Sequence, residues 1–234
     1  MELLSLNQLK FSYPNSERGR LDIEHFQVNV GEKIFLFGPS GSGKTTFLEI
    51  LAGVLTPASG SIKLGGTELT QLSSTQRDAF RADNIGYIFQ SFNLIPYLSV
   101  IENIALPLNL SPERRKLVPK DQELQKIQEM AKRLGILELL SHKTGELSVG
   151  QQQRVAAARS LIGHPKLILA DEPTSALDFD HREKFLSLIF EICKEQSISL
   201  IFVSHDRSLQ GLFDRVVALA DINKAAVKNN GGLS

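Results

Sequence analysis

Gly38-Pro39-Ser40-Gly41-Ser42-Gly43-Lys44-Thr45 follows the apolar run Ile34-Phe35-Leu36-Phe37 and leads into Thr46-Phe47-Leu48-Glu49-Ile50-Leu51, a stretch compatible with a helix. These eight residues complete the pattern G-x-x-x-x-G-K-[ST] between a strand and a helix, the setting in which the pattern binds phosphate. Glycine lets the backbone turn without a Cβ clash, so successive N–H groups can face phosphate oxygens where the helix dipole also favours negative charge. Lys44 places a point charge at the β/γ-phosphates, the Thr45 hydroxyl suits Mg²⁺, and Thr46 opens the helix beside them. A Gly/Ser-rich linker would have no need of Lys-Thr directly before an apolar helix start.

Working outward, Leu3 to Tyr13 places apolar residues at Leu4, Leu6, Leu9 and Phe11, and Ile23 to Val30 alternates likewise, which predicts two half-buried antiparallel strands joined by a turn at Asn15-Ser16-Glu17-Arg18-Gly19. Phe35 to Phe37, Ile85 to Phe89, Lys166 to Ala170 and Ser199 to Val203 are nearly continuous apolar runs, the mark of parallel strands covered on both faces. Ser61 to Thr67 reads as a short hairpin and Gln71 to Ala82 as a polar helix. Between Ser91 and Leu140 the character changes: Pro96, Pro107, Pro112 and Pro119 punctuate helical stretches, which predicts an inserted helical segment. Gln151 to Ile162 and His181 to Gln196 have helical spacing, a short helix lies near Leu209, and Arg215 to Leu219 is a last strand. Asn223 onward is polar and Gly-rich and is expected to fray.

Composition narrows the class. In 234 residues, 26 Lys+Arg balance 26 Asp+Glu, so no global field draws the chain to nucleic acid or anionic lipid. Cys193 is the single cysteine, which excludes an internal disulfide framework and a cysteine-cluster metal site. Glu2 stands where a signal peptide carries Lys or Arg, and no run approaches the ~20 apolar residues of a membrane span. The expectation is a soluble, cytoplasmic protein.

A phosphate loop alone leaves kinases, GTPases and motor-like ATPases open. Leu167-Ile168-Leu169-Ala170-Asp171-Glu172 puts two carboxylates at the carboxyl end of a buried strand, where the crevice of a parallel sheet lies. Asp171 suits Mg²⁺, and Glu172 is placed to polarise an attacking water, whereas a nucleotide kinase would need an acceptor site. His205 follows Phe202-Val203-Ser204 and so reaches the same edge, beside the γ-phosphate. Ser204-His205-Asp206 is not a hydrolase triad, because triads are assembled from separated positions.

Leu147-Ser148-Val149-Gly150-Gln151-Gln152-Gln153-Arg154 reads as a helix start, with Ser148 as N-cap, Gly150 permitting close approach and N–H groups facing outward as a second anion site. One nucleotide needs one such cradle, so a second implies a second or a shared nucleotide. With this stretch the chain, from about Leu3 to Leu219, resembles the nucleotide-binding subunits of ABC transporters, whose LSGGQ signature matches Leu147 to Gln151 with Val149 in the tolerant position. The resemblance implies Tyr13 as the aromatic that stacks on adenine, Gln90 as the glutamine linking Mg²⁺ to a membrane partner, Ser175-Ala176-Leu177-Asp178 as the D-loop and His205 as the switch histidine. Within the family, Phe89 to Pro96 and Ser99 to Leu108 look most like the bacterial branch of lipoprotein-release and macrolide-export ATPases. His142-Lys143-Thr144-Gly145-Glu146 departs from that branch, lacking its usual proline before the signature.

The implied fold is α/β: a P-loop ATPase core with a mainly parallel sheet, over about 1–90 and 163–222, an N-terminal antiparallel β subdomain within it, an inserted helical subdomain over about 91–162 carrying the signature, and a frayed tail over 223–234. The implied function is an ATPase that forms a homodimer around two ATP, with Mg²⁺, and powers a separate transmembrane permease subunit. It would sit peripherally on the inner face of the cell membrane through that partner, with no nucleic acid bound. A soluble ABC-type ATPase acting on nucleic acid or the ribosome is the alternative. Such proteins typically carry paired cassettes or long coiled-coil insertions, and this chain has one cassette and no sustained heptads.

Overall fold

The computed structural model describes residues 1–14, 20–174 and 179–227, and the chain divides into two compact units, Met1–Arg81 with Ser199 onward, and Ala82–Ile198. The turn at 15–19 and the D-loop at Ser175–Asp178 lie outside the described residues.

In the first unit, β1 (Glu2–Phe11), β2 (Leu21–Asn29), β4 (Ser59–Leu64) and β5 (Thr67–Glu68) form an antiparallel sheet in the order β2-β1-β4-β5. The period-2 pattern of β1 breaks between Leu6 and Leu9, yet both are fully buried, because Asn7 and Gln8 both face solvent. Gln8 has φ +51°, and the register against β4 slips between Asn7 and Lys10, so one extra residue returns Leu9 to the core side. β3 (Lys33–Phe37) lies between β8 (Ser199–Val203) and β9 (Arg215–Ala218), parallel to both, with Leu36 opposite Val203 and Val217. Ile34, Phe35 and Leu36 are fully buried, as a strand covered on both faces requires, and Phe35 packs on Phe202 and Phe213. Burying such a side chain contributes roughly 1.5–3 kcal/mol each.

Of the tail expected over 223–234, residues 223–227 are described. Asn223 is 2% exposed: its Oδ1 accepts from the Asp22 N–H at 2.8 Å and its Nδ2 donates to the Arg20 carbonyl at 3.0 Å. Short helices α8 (Leu219–Ile222) and α9 (Lys224–Val227) flank it, and Lys224 pairs with Glu24. A side-chain amide that satisfies two backbone groups at the start of β2, Asp22 N–H and the Arg20 carbonyl just before it, holds this segment, which no apolar pattern announces.

In the second unit, β6 (Ile85–Ile88) and β7 (Leu167–Asp171) are parallel, with Ile88 opposite Ala170. The helical stretch resolves into α3 (Val100–Leu110), α4 (Pro112–Leu117), α5 (Glu123–Arg133) and α6 (Val149–Leu161), followed by α7 (Phe179–Glu195); α1 (Lys44–Leu51) belongs to the first unit, and α2 (Ser74–Asn84) ends across the division. Pro107 lies inside α3 instead of ending it, at the cost of one intrahelical bond. β6, β7 and α7 lie in the same unit as the inserted helices. One physical reason is Arg114 of α4, 2% exposed, which donates to the carbonyls of Ala82 at 2.8 Å, Ile85 at 2.7 Å and Ile162 at 2.9 Å. Burial pushes its pKa down to about 10, against the opposing pull of Asp83. Gly86 of β6 is the second reason: a Cβ there would stand 2.2 Å from the Ser160 carbonyl, so only glycine lets α6 come this close.

Candidate nucleotide site

The phosphate loop leaves the end of β3 at Gly38 and enters α1 at Lys44. Gly43, the N-cap, has φ +100° and no side chain caps the helix, so the first-turn N–H groups are left to a ligand. Lys44 is 7% exposed; its Nζ donates to the loop's own carbonyls, Gly38 at 2.9 Å and Pro39 at 3.1 Å. Ser42 Oγ is buried with no hydrogen-bond partner among the described residues, an orphaned donor inside the cradle. Pro39, Ser40, Gly41 and Thr45 face solvent, while Thr46 is 7% exposed and faces the core side of α1. This donor set, with a lysine and an uncapped helix start, fits a polyphosphate.

His205 belongs to the same edge. β8 runs parallel to β3 with Val203 opposite Leu36, so His205 and Gly38 each emerge two residues beyond a paired position. The ring is exposed, and the turn after it is fixed by Ser204 Oγ accepting from the Asp206 N–H at 3.0 Å. Tyr13 is 37% exposed, edge-on to Phe11 with centroids 4.9 Å apart, and its hydroxyl stands 3.5 Å from Glu49 of α1. It is thus an aromatic at the surface, tethered near the helix of the phosphate loop.

In the second unit β6 and β7 repeat the same geometry. Gln90 and Glu172 each lie two residues beyond the paired Ile88 and Ala170, so they leave one strand edge side by side. Asp171 ends β7 at 6% exposure, and Glu172 takes φ +45°, a left-handed conformation uncommon outside glycine. Within this unit, Asp171 and Gln90 offer oxygen donors of the kind a hard divalent cation takes. Among the described residues no group of three or more His, Cys, Asp or Glu is arranged to hold a metal by itself.

The signature stretch starts α6 as its residue types predict. Ser148 Oγ accepts from the Gln151 N–H at 3.4 Å and the Ser148 N–H donates to Gln151 Oε1 at 2.9 Å, a reciprocal capping box. Ser148 and Val149 stand in solvent and Gly150 is half-buried, so this helix start faces outward.

Two residues of α6 that sequence reading passed over hold the loops just described. Gln153 is 1% exposed and donates to the Pro173 carbonyl at 2.8 Å. Arg159 donates to the carbonyls of Phe92 and Asn93, just past Gln90. A charge set among Ala156, Ala157, Ala158 and Leu161 is a signal that could have pointed to Arg159. Gln153, inside a run of three glutamines, offers no such contrast.

Residues 21–175 match the family described as ABC transporter. The chain belongs to the ABC transporter family. Among relatives, it is 40% identical over 192 residues to the lipoprotein-releasing system ATP-binding protein LolD of Psychrobacter arcticus, covering 82% of this chain and 83% of that one. It is 38% identical over 210 residues to the ABC transporter ATP-binding protein YtrE of Bacillus subtilis, covering 87% and 89%. Among solved structures, the ATP-binding cassette MJ0796, described as a dimer in a post-hydrolysis state bound to ADP and Pi, superposes with a TM-score of 0.81 at 32% identity, over 96% of this chain and 95% of that one. This ABC protein is accordingly an ATP-binding ATPase of transporter type, with an α/β fold and a parallel sheet, as its motifs imply. No helix among its described residues is long and apolar enough to cross a membrane.

Proposed function

We propose that this ABC ATPase is the nucleotide-binding subunit of a transporter whose membrane-spanning part is a separate chain, and that two copies close around two ATP. The start of α6 carries this reading. Ser148 is exposed, and because its oxygen accepts within the capping box, its proton is the part left to donate to an anion. One chain has one phosphate loop for one nucleotide, so the phosphate that Ser148, Val149, Gly150 and Gln151 meet comes with a second copy. The dimeric description of the MJ0796 cassette supports the same arrangement.

In this reading the N–H groups from Gly38 to Thr46, the Ser42 hydroxyl and Lys44 receive the β- and γ-phosphates, Lys44 giving up its bonds to Gly38 and Pro39. Tyr13 offers its ring to the adenine. Glu172 accepts a proton from the attacking water, and His205 donates to the γ-phosphate. Mg²⁺, held by Thr45, Asp171 and Gln90, would neutralise charge on the phosphate oxygens. ATP closes the dimer and hydrolysis reopens it.

The membrane partner is supported by the relatives' names and by a surface next to Gln90. Of the apolar segment 92–100, Phe92 and Val100 are buried and pack inside the unit, while Tyr97 is 73% exposed. A groove of about 260 Å³ lies in the same unit, its lining including Tyr87, Phe89, Asn93, Leu106, Pro107 and Leu110. Such a groove suits a short amphipathic helix from the partner, which would place the ATPase peripherally on the inner face of the cell membrane. Affinity purification from detergent-solubilised membranes followed by mass spectrometry tests the assignment. A co-purifying multi-span chain is expected; ribosomes or nucleic acid in its place would overturn it.

A further inference from the structure

Glu172 is held in a conformation that its neighbours in sequence oppose. Its φ is +45°, and the residue after it is Pro173, whose ring Cδ drives a preceding residue toward extended backbone. Something outside the segment must therefore hold the turn. On the N-terminal side the ladder of β7 against β6 does so, with Ala170 opposite Ile88. On the C-terminal side Pro173 has no N–H, so its carbonyl is its one backbone handle. Gln153 Nε2 takes that handle at 2.8 Å. Gln153 is 1% exposed, and an unbonded amide at that burial would be costly, so the bond to the Pro173 carbonyl is needed.

We propose that Gln153 is a positioning residue for ATP hydrolysis: by clamping the Pro173 carbonyl it keeps Glu172 in the left-handed turn that aims its carboxylate at the attacking water. This rests on the reading of Glu172 as the water-activating residue. Gln153 is buried and so acts through the turn, and α6, which carries it, begins in the signature at Val149, four residues earlier. Misaiming a carboxylate by about 1 Å costs on the order of a hundredfold in rate, with little effect on substrate binding.

The test compares Gln153→Met, which keeps length without a donor, and Gln153→Asn, which keeps the amide on a shorter stem, in wild-type and Glu172→Gln backgrounds. Steady-state ATPase, ATP affinity and thermal melting are measured for each. Gln153→Met is expected to lower kcat about tenfold to a hundredfold with KM for ATP within about twofold, Gln153→Asn to fall between it and wild type, and neither to reduce the residual rate of Glu172→Gln further. Unchanged kcat in both single variants, with Glu172→Gln inactive, overturns the role of Gln153 and leaves Glu172 in place. A loss that multiplies with that of Glu172→Gln overturns it too, since a general structural defect acts independently of the carboxylate. Wild-type turnover by Glu172→Gln instead sinks the reading beneath it. Should Gln153→Met fail to fold, the ordering of Gln153→Asn against wild type decides alone.

Discussion

Arg159 Nη2 lies 2.6 Å from the carbonyl oxygen of Phe92, 67 positions earlier in the chain, and Nη1 lies 2.7 Å from that of Asn93. Both accepting residues have positive φ, +61° and +48°, so the guanidinium fork fastens two successive left-handed residues just beyond Gln90. Burial lowers the Arg159 pKa, and the two carbonyls offset that desolvation. A lysine has no planar fork and cannot serve both acceptors in the same way. Arg159→Lys should therefore lose about 1.5–3 kcal/mol of stability, the worth of one charged hydrogen bond. A urea denaturation midpoint equal to wild type would show that the loop holds itself.

Glu172→Gln preserves shape but cannot accept the water's proton, so ATP should bind and persist while turnover falls at least about a hundredfold. Closed dimer should then accumulate. Size exclusion in Mg-ATP is expected to show the variant at twice the mass of the chain; a monomer with wild-type turnover contradicts the assignment.

Ser148→Arg places a bulky cation at an exposed helix start while leaving the phosphate loop of the same chain untouched. Nucleotide binding by the monomer should survive and dimer formation with ATP should fail. Lys44→Ala should do the reverse at the first step, weakening monomeric binding. Equal loss of monomeric affinity in the two variants, by fluorescent nucleotide titration, would place the signature in its own chain's site.

Tyr97→Ala removes an aromatic that is 73% exposed, so stability and basal ATPase should stay within error of wild type. Association with detergent-solubilised membranes should weaken. Undiminished association would move the docking surface away from the stretch after Gln90.

Much of the molecule was legible from local spacing. The phosphate loop, the carboxylates ending β7, His205 beyond β8 and the capped helix start at Ser148 each depend on residues a few positions apart, and continuous apolar runs disclosed β3, β6, β7 and β8 because parallel strands are buried on both faces. The bulge at Gln8 was half legible, since Leu6 and Leu9 break a period of two, but which residue would take the left-handed turn was not. Asn223 looked like part of a polar tail, Arg114 like one of two adjacent arginines, Gln153 like one of three glutamines. Tertiary structure alone decided that these three are buried and that each ends on backbone carbonyls or N–H groups far away in sequence. The reason is chemical: every residue carries the same carbonyl and, proline apart, the same N–H, so a side chain that pairs with backbone leaves no partner residue type to read, and only the folded chain says which carbonyl stands within 3 Å of it.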